Sequence, residues 1–158
     1  MDETKMIAEY ILESQDNLET SLKLVMSLQQ VKEQLKEKFE LQLEQVATEL
    51  GIQFEREKMR FFPSNWSKHT IALSYESGAI LYGINRNEVL ETKEPSPEIQ
   101  EFFKEQFQTS YWWPMHKDFY SNINNNSEFW LDINSGKAKA RIKEFVKIVN
   151  DNCNTTNY

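Results

Sequence analysis

Metal-dependent chemistry has one local candidate in this sequence. Glu91-Thr92-Lys93 has the acid-x-Lys form that magnesium-dependent nucleases place on a strand, and Glu76 is the nearest candidate for a first metal ligand. Residues 85–97, however, are predicted to form a polar loop with two Pro, in which a solvated carboxylate is the ordinary outcome. We therefore expect no metal site, and we retain Glu76 and Glu91 as a weak alternative.

Nucleophilic and phosphate-binding chemistry has less support. The two His residues, His69 and His116, are far apart in the chain, and the single Cys153 lies near a polar C-terminus. A closely spaced Cys and His zinc site is excluded, and a reactive thiol is not expected in such surroundings. The four Gly residues do not have phosphate-loop spacing. We expect no cofactor and assign no catalytic residue.

The aromatic residues are the least ordinary feature of the composition, with 10 Phe, 6 Tyr and 4 Trp. Core packing is the usual role of Trp, and we predict it for Trp130 and for Trp112 together with Trp113. The alternative is a ligand pocket in the segments stiffened by Pro63 and Pro114. Its hypothetical residues combine stacking faces with cationic or proton-sensitive groups: Trp66, Lys68, Arg86, Trp112, Trp113 and His116.

A basic stripe near the C-terminus could follow a phosphate backbone. Its weak candidates for nucleic-acid contact are Lys139, Lys143 and Lys147, in a helix that also carries Lys137 and Arg141. The net charge of -7 opposes this interpretation, and Lys opposite an apolar face is usual on a surface helix. Nucleic-acid binding therefore stays an alternative that is not favoured.

Length and composition set the class of protein. The chain has 158 residues, of which 39% are apolar and 27% charged, and this suits one packed domain. A single Cys excludes a disulfide scaffold, and no apolar run approaches the ~20 residues of a membrane span. The first ten residues do not resemble a signal peptide. We expect a cytoplasmic protein with no membrane contact.

The N-terminal third is predicted to be helical and self-associating. Apolar residues recur at steps of three or four from Leu18 to Leu50, which predicts one long helix, or a helical hairpin broken near residues 27–30. Residues 14–17 are a second candidate break, and Gly51 suits a helix end. A continuous helix of this length would extend ~50 Å, beyond a small domain. We therefore predict a homodimer through this helix, and a helical hairpin folding back on itself is the alternative.

The rest of the chain changes to β-branched and aromatic residues. Strands are predicted near 52–62, at 70–76 and at 79–85, the last two joined by a Ser77-Gly78 turn. Helices are predicted near 97–109 and 137–150, with a short buried segment at 129–133. The expected fold class is α+β, with a long N-terminal helix or helical hairpin and a small antiparallel sheet covered by helices. We expect a single domain over 1–158, with a helical arm at 1–50, a body at 51–150 and a frayed tail at 151–158.

The order of several motifs resembles the C-terminal accessory region of some bacterial proteins of the PD-(D/E)XK nuclease superfamily. The likeness covers about residues 33–150 and depends on Trp66, Tyr82-Gly83-Ile84, Trp113-Pro114, Trp130 and Gly136. The nuclease core, with its Asp and Glu-x-Lys on adjoining strands, is not found in the sequence, and a helix takes its place. The resemblance implies an accessory module beside a nuclease in defence or mobile-element biology, and it carries over no catalytic residue.

Two classes of function follow from these observations. We favour a non-catalytic binding or assembly module of a bacterial or phage protein, which requires only a surface for a protein partner. The alternative is a degenerate magnesium-dependent nuclease or another nucleic-acid-binding enzyme. The enzyme requires Glu76, Glu91 and Lys93 to lie together in the fold.

Overall fold

A computed structural model describes residues 2–64, 69–86, 101, 107–110 and 112–153. The chain divides into two compact units, Met1–Glu37 and Lys38–Tyr158. The described residues form helices and one five-stranded antiparallel sheet, which confirms the predicted α+β class and the long N-terminal helix. The second unit begins inside that helix, whereas the sequence suggested an arm that ends at residue 50.

The first unit contains helix α1 (Glu3–Leu12) and the beginning of helix α2 (Gln15–Leu50). Asp2 caps α1, since its Oδ1 accepts a hydrogen bond from the Thr4 amide at 3.1 Å. The Ser14 hydroxyl accepts one from the Asn17 amide at 3.1 Å, so the predicted break near residues 14–17 is present. No break occurs near residues 27–30, where the Ser27 hydroxyl donates within the helix to the Lys23 carbonyl.

The second unit is organised around a sheet whose strands follow the chain order. Strands β3 (His69–Glu76) and β4 (Ala79–Arg86) form the predicted hairpin, with His69 opposite Arg86 and Glu76 opposite Ala79. Their turn has positive φ at Ser77 (46°) and Gly78 (83°). Two successive positive φ values match the tight turn that suits the twist of a hairpin.

The other strands extend this hairpin on both sides. Strands β1 (Gln53–Glu55) and β2 (Arg60–Phe62) pair with each other, and β2 pairs with β3, in agreement with the strand signal near 52–62. Strand β5 (Met115–Tyr120) pairs with β4 on the opposite side. The sequence identifies the segment that contains β5 only as aromatic. Ile80 pairs with Tyr120 and Leu81 with Asp118, so Phe119 is an extra residue that interrupts the alternation of side chains along β5.

Two helices follow β5. The expected buried segment at 129–133 is part of helix α3 (Glu128–Ser135), and helix α4 (Lys137–Cys153) confirms the prediction for 137–150. Gly136 separates them with a φ of 83°. Most of the helix predicted over 97–109 lies outside the described residues. Gln108 forms an isolated bridge with His116, so that helix does not reach residue 109.

Helices of the second unit pack on one face of its sheet, as predicted. The Phe39 ring of α2 lies 5.5 Å from Phe129 of α3 and 6.5 Å from Phe119 of β5. The Phe145 ring of α4 lies 4.4 Å from Tyr82 of β4. This aromatic contact layer explains why the chain is rich in Phe: the rings fill the space between helices and sheet.

Candidate functional site

Four polar side chains are buried at one end of the β3–β4 hairpin. His69 and Arg86 are opposite each other at the ends of the two strands, and Thr70 and Asn85 form the next pair. Burying an Arg is costly unless its charge is compensated. The structure therefore places Arg86, one of the residues of the hypothetical ligand pocket, at a buried position.

The hypothetical pocket residues near Pro114, which are Trp112, Trp113 and His116, lie around the start of β5. The Trp113 and His116 ring centroids are 6.2 Å apart, and the Arg86 amide donates to the Trp112 carbonyl at 3.0 Å. Trp113 is only 9% exposed, whereas Trp112 is 57% exposed. The core prediction is therefore right for Trp113 and wrong for Trp112, because adjacent residues at this bend point in different directions.

Trp130 is partly buried rather than enclosed. Its Nε1 donates to the Ile123 carbonyl at 3.0 Å, and its ring lies 4.9 Å from Phe129. The indole therefore anchors the connection before α3 through one hydrogen bond, which is how a Trp at a core margin satisfies its polar atom.

Strand alternation separates Arg86 from His116. His116 is opposite Gly83, three residues before Arg86 on β4, and side chains an odd number of positions apart on a strand point to opposite faces. The described part of the proposed pocket is therefore divided between the two faces of the sheet. Trp66 and Lys68 lie outside the described residues, so ligand binding by the whole set stays a prediction.

The three Lys residues of the basic stripe have carboxylate neighbours. Lys139 and Lys143 both contact Glu49, at 2.7 and 2.6 Å, and Lys147 contacts Asp151 at 3.1 Å. Hydrogen bonds from Lys139 and Lys143 lower the pKa of Glu49 from 4.5 to about 2. Nucleic-acid contact by these residues stays a prediction, and it would compete with Glu49 for two of the ammonium groups.

The weak metal-site alternative cannot be assembled from described residues alone. Glu76 is the exposed last residue of β3, next to the hairpin turn. Glu91 and Lys93 lie outside the described residues. Within the part of the chain that the structure describes, no group of three or more His, Cys, Asp or Glu side chains could hold a metal ion.

A buried polar pair that the sequence did not indicate joins β5 to α3. The Tyr120 hydroxyl donates to Asp132 Oδ2 at 2.7 Å, and Lys137 lies 3.4 Å from the same oxygen. Burial and the bond to Asp132 raise the pKa of Tyr120 above its ordinary value of 10.0. The Arg141 guanidinium lies 4.6 Å from the Tyr120 ring centroid. The phenol stays protonated and acts as a donor, so this pair has a structural role. The position of Asp132 in an apolar segment, Phe129 to Ile133, was the available signal.

The apolar stripe of α2 has two different environments along its length. Phe39, Leu43 and Val46 are fully buried in the second unit. Among the large apolar side chains before them in this helix, Leu18 and Leu35 are half-buried and six are exposed. Five of these six, without Met26, form the set in the first unit that we call the N-terminal apolar face: Leu22, Leu24, Val25, Leu28 and Val31. Exposed apolar clusters of this kind mark interaction surfaces more often than scattered single residues do.

Helix α1 adds further exposed apolar side chains to the first unit. Met6, Ile7, Tyr10 and Leu12 are each more than half exposed, and α1 has no buried residue. Among the helices that the described residues form, none is long and apolar enough to cross a membrane.

Comparisons with known proteins do not assign a family to this chain. No protein-family model matches it, and searches of curated proteins and of solved structures give no match.

Proposed function

We propose that this chain is an assembly module that self-associates through the N-terminal apolar face. The observation that supports this proposal most directly is the exposure of five large apolar side chains on a helix in which Phe39, Leu43 and Val46, further along the same stripe, are fully buried. A soluble helix normally covers such a stripe against its own domain. The N-terminal apolar face therefore has the properties of a docking surface.

The energetics favour a concentration-dependent complex. Complete burial of a Leu or Val contributes ~1.5–3 kcal/mol, so a side chain that is already half covered contributes about 1 kcal/mol. Five such residues on each of two copies give a gross gain of about 10 kcal/mol. Association opposes this gain by about 4–15 kcal/mol. At the low end of this cost the net gain is about 6 kcal/mol, which corresponds to a dissociation constant of tens of micromolar. We therefore expect dimers to form at tens of micromolar rather than at nanomolar concentrations.

The resemblance to an accessory region of PD-(D/E)XK nuclease proteins supports a further part of the proposal. It suggests that the module belongs to a bacterial or phage protein and works beside a nuclease in defence or mobile-element biology. We also propose a cytoplasmic location, following the composition and the single Cys153.

Light scattering combined with size-exclusion chromatography tests the assembly. We expect a dimer mass at tens of micromolar for the unaltered chain and a monomer mass for Leu28→Glu, which places a charge in the middle of the N-terminal apolar face. Leu131→Glu is the matched control, because Leu131 is a helical Leu that is 63% exposed but lies in α3. This control should remain dimeric.

Two results would contradict the proposal. One is a monomer mass for the unaltered chain throughout this concentration range. The other is an equal loss of dimer in Leu28→Glu and Leu131→Glu, which would mean that any added charge, and not this surface, determines the mass. Circular dichroism should show that both variants keep their helix content, since Glu is a good helix former.

A further inference from the structure

The helices of the first unit have no core of their own. None of residues 2–38 is buried, and the first buried side chain along α2 is that of Phe39. The boundary between the two compact units lies almost at the same place, between Glu37 and Lys38. Helices in proteins obtain most of their stability from packing an apolar face. The helices of the first unit therefore lack the main source of helix stability.

Interactions within this unit join residues that are close in the chain. Glu19 and Lys23 form an ion pair of 2.6 Å across one turn of α2, and both side chains are exposed. The Asn17 side chain donates to the Tyr10 carbonyl at 2.9 Å, at the corner between α1 and α2. Exposed pairs of this kind stabilise a helix only slightly, because water screens the charges.

The beginning of α2 also has a low intrinsic preference for helix. Residues 15–27 contain six side chains that form helices less readily than Ala, Leu, Glu or Lys: Asp16, Asn17, Thr20, Ser21, Val25 and Ser27. Residues 28–38 consist of Leu, Gln, Lys, Glu and one Val. The helix therefore opens most easily towards its N-terminal end and is most stable where it approaches Phe39.

We propose that residues 3–31 are a conformational switch, which unfolds and refolds while the second unit stays folded, and that self-association favours its helical state. The first part needs no partner, because it follows from the exposure of the side chains in this segment. The second part rests on the proposed function. A second copy that binds only the helical state shifts the equilibrium towards that state.

The switch controls the N-terminal apolar face. The side chains of this face lie together on one side only while residues 22–31 are helical, since an extended chain directs successive side chains to opposite sides. Association then has to order this segment as well as join two copies, which weakens binding. Assembly is therefore sensitive to any condition that changes helix stability, and heating should dissociate the dimer before the second unit unfolds.

Two spectroscopic probes distinguish the units. All four Trp residues lie after residue 38, so Trp fluorescence reports on the second unit alone, whereas far-ultraviolet circular dichroism reports on helices of both units. In a thermal scan of the monomer, well below tens of micromolar, we expect part of the helix signal to disappear before the Trp transition. At tens of micromolar and above, this early loss should move to higher temperature. Leu28→Glu supplies the monomer if the unaltered chain is already dimeric at the lower concentration.

A matched pair of substitutions locates the switch along α2. Ser27 and Thr48 are both exposed, and their hydroxyl groups donate to the carbonyl four residues earlier, at 2.8 and 2.9 Å. Proline at either position breaks the helix locally. Ser27→Pro should leave the Tm of the Trp transition unchanged and enlarge the early loss of helix signal. Thr48→Pro, next to the buried Val46 and Ala47, should lower that Tm by roughly 6–12 °C.

The outcomes separate the switch from the assembly. Coincident transitions of the two probes in a sample of monomer mass would overturn the switch, because they indicate two-state unfolding of the whole chain. A Tm that falls as much in Ser27→Pro as in Thr48→Pro would overturn it too. A dimer whose early helix loss does not shift with concentration would overturn only the link between assembly and helix formation. A monomer mass at every concentration would overturn that link and the proposed function, while separate transitions would still support the switch.

Discussion

At Gly83 the backbone of β4 lies very close to that of β5. A Cβ atom added there would lie 2.0 Å from the Met115 carbonyl oxygen and 2.8 Å from the His116 Cα. Ordinary contacts of a Cβ begin near 3.4 Å. Both neighbours are backbone atoms, so no change of rotamer relieves the contact. The substitution Gly83→Ala therefore forces the two strands apart.

The expected loss of stability can be estimated from these contacts. Overpacking costs ~1–3 kcal/mol, and disrupting two ladder hydrogen bonds adds about 1 kcal/mol each. Replacing Gly by Ala also lowers the entropy of the unfolded chain, which stabilises by only about 0.4–1 kcal/mol. The steric effect is larger, so we expect Gly83→Ala to lose roughly 3–4 kcal/mol and to lower Tm by about 10 °C.

Urea unfolding and thermal melts would measure this change. The control is Gly51→Ala, where an added Cβ meets nothing within 4 Å but φ is +68°. This control should lose only ~1–2 kcal/mol of stability, which is the cost of a left-handed backbone conformation for a residue that has a Cβ atom. A stability for Gly83→Ala equal to or above that of the unaltered chain would refute the pairing of Gly83 with His116.

Two further predictions concern polar groups in the second unit. The folded pKa of Glu49 is lowered to about 2, so its contribution to stability is present above pH 4.5 and is lost as the pH falls towards 2. Glu49→Gln should therefore lower Tm at neutral pH, and the difference in Tm from the unaltered chain should disappear as the pH falls. The control Glu57→Gln, at an exposed Glu, should change Tm little. A difference in Tm that does not depend on pH would contradict the ion pairs of Glu49. Tyr120→Phe should lose about 1.5–3 kcal/mol in urea unfolding because Asp132 keeps a buried carboxylate without that donor, while Tyr10→Phe, at an exposed tyrosine, should be neutral; equal stabilities for the two variants would exclude a structural role for the Tyr120 hydroxyl.

The ion pairs of the basic stripe could not be predicted from the sequence. Its Lys residues form a helical pattern in the sequence, but nothing in that pattern indicates that Glu49 lies between Lys139 and Lys143. Those partners are about ninety positions apart in the chain, and only the packing of α4 against α2 brings them together. Charge spacing along one helix predicts the sign of a surface but not which of its charges are already paired.

The arrangement of the hypothetical pocket residues depends on strand register, which the sequence does not predict. The sequence groups Arg86, Trp113 and His116 because their segments are aromatic and cationic. The order of the strands brings these segments close together, and the one-residue alternation of β4 then places Arg86 and His116 on opposite faces. Composition could not supply this register, because it depends on which residue of β5 pairs with Gly83.

The sequence by itself determined the elements whose signals are local. Periodicity of three and four residues predicted that the N-terminal third is helical, although it left one helix or a helical hairpin open. The Ser77-Gly78 pair predicted the β3–β4 hairpin, and the Ser14 cap marked a candidate helix break. Only the tertiary structure decided which part of the α2 stripe is buried: Phe39, Leu43 and Val46 enter the core, whereas Val25 and Leu28 remain exposed. The physical reason is that periodicity depends on neighbours within two turns, while burial depends on what the distant parts of the chain place against the helix.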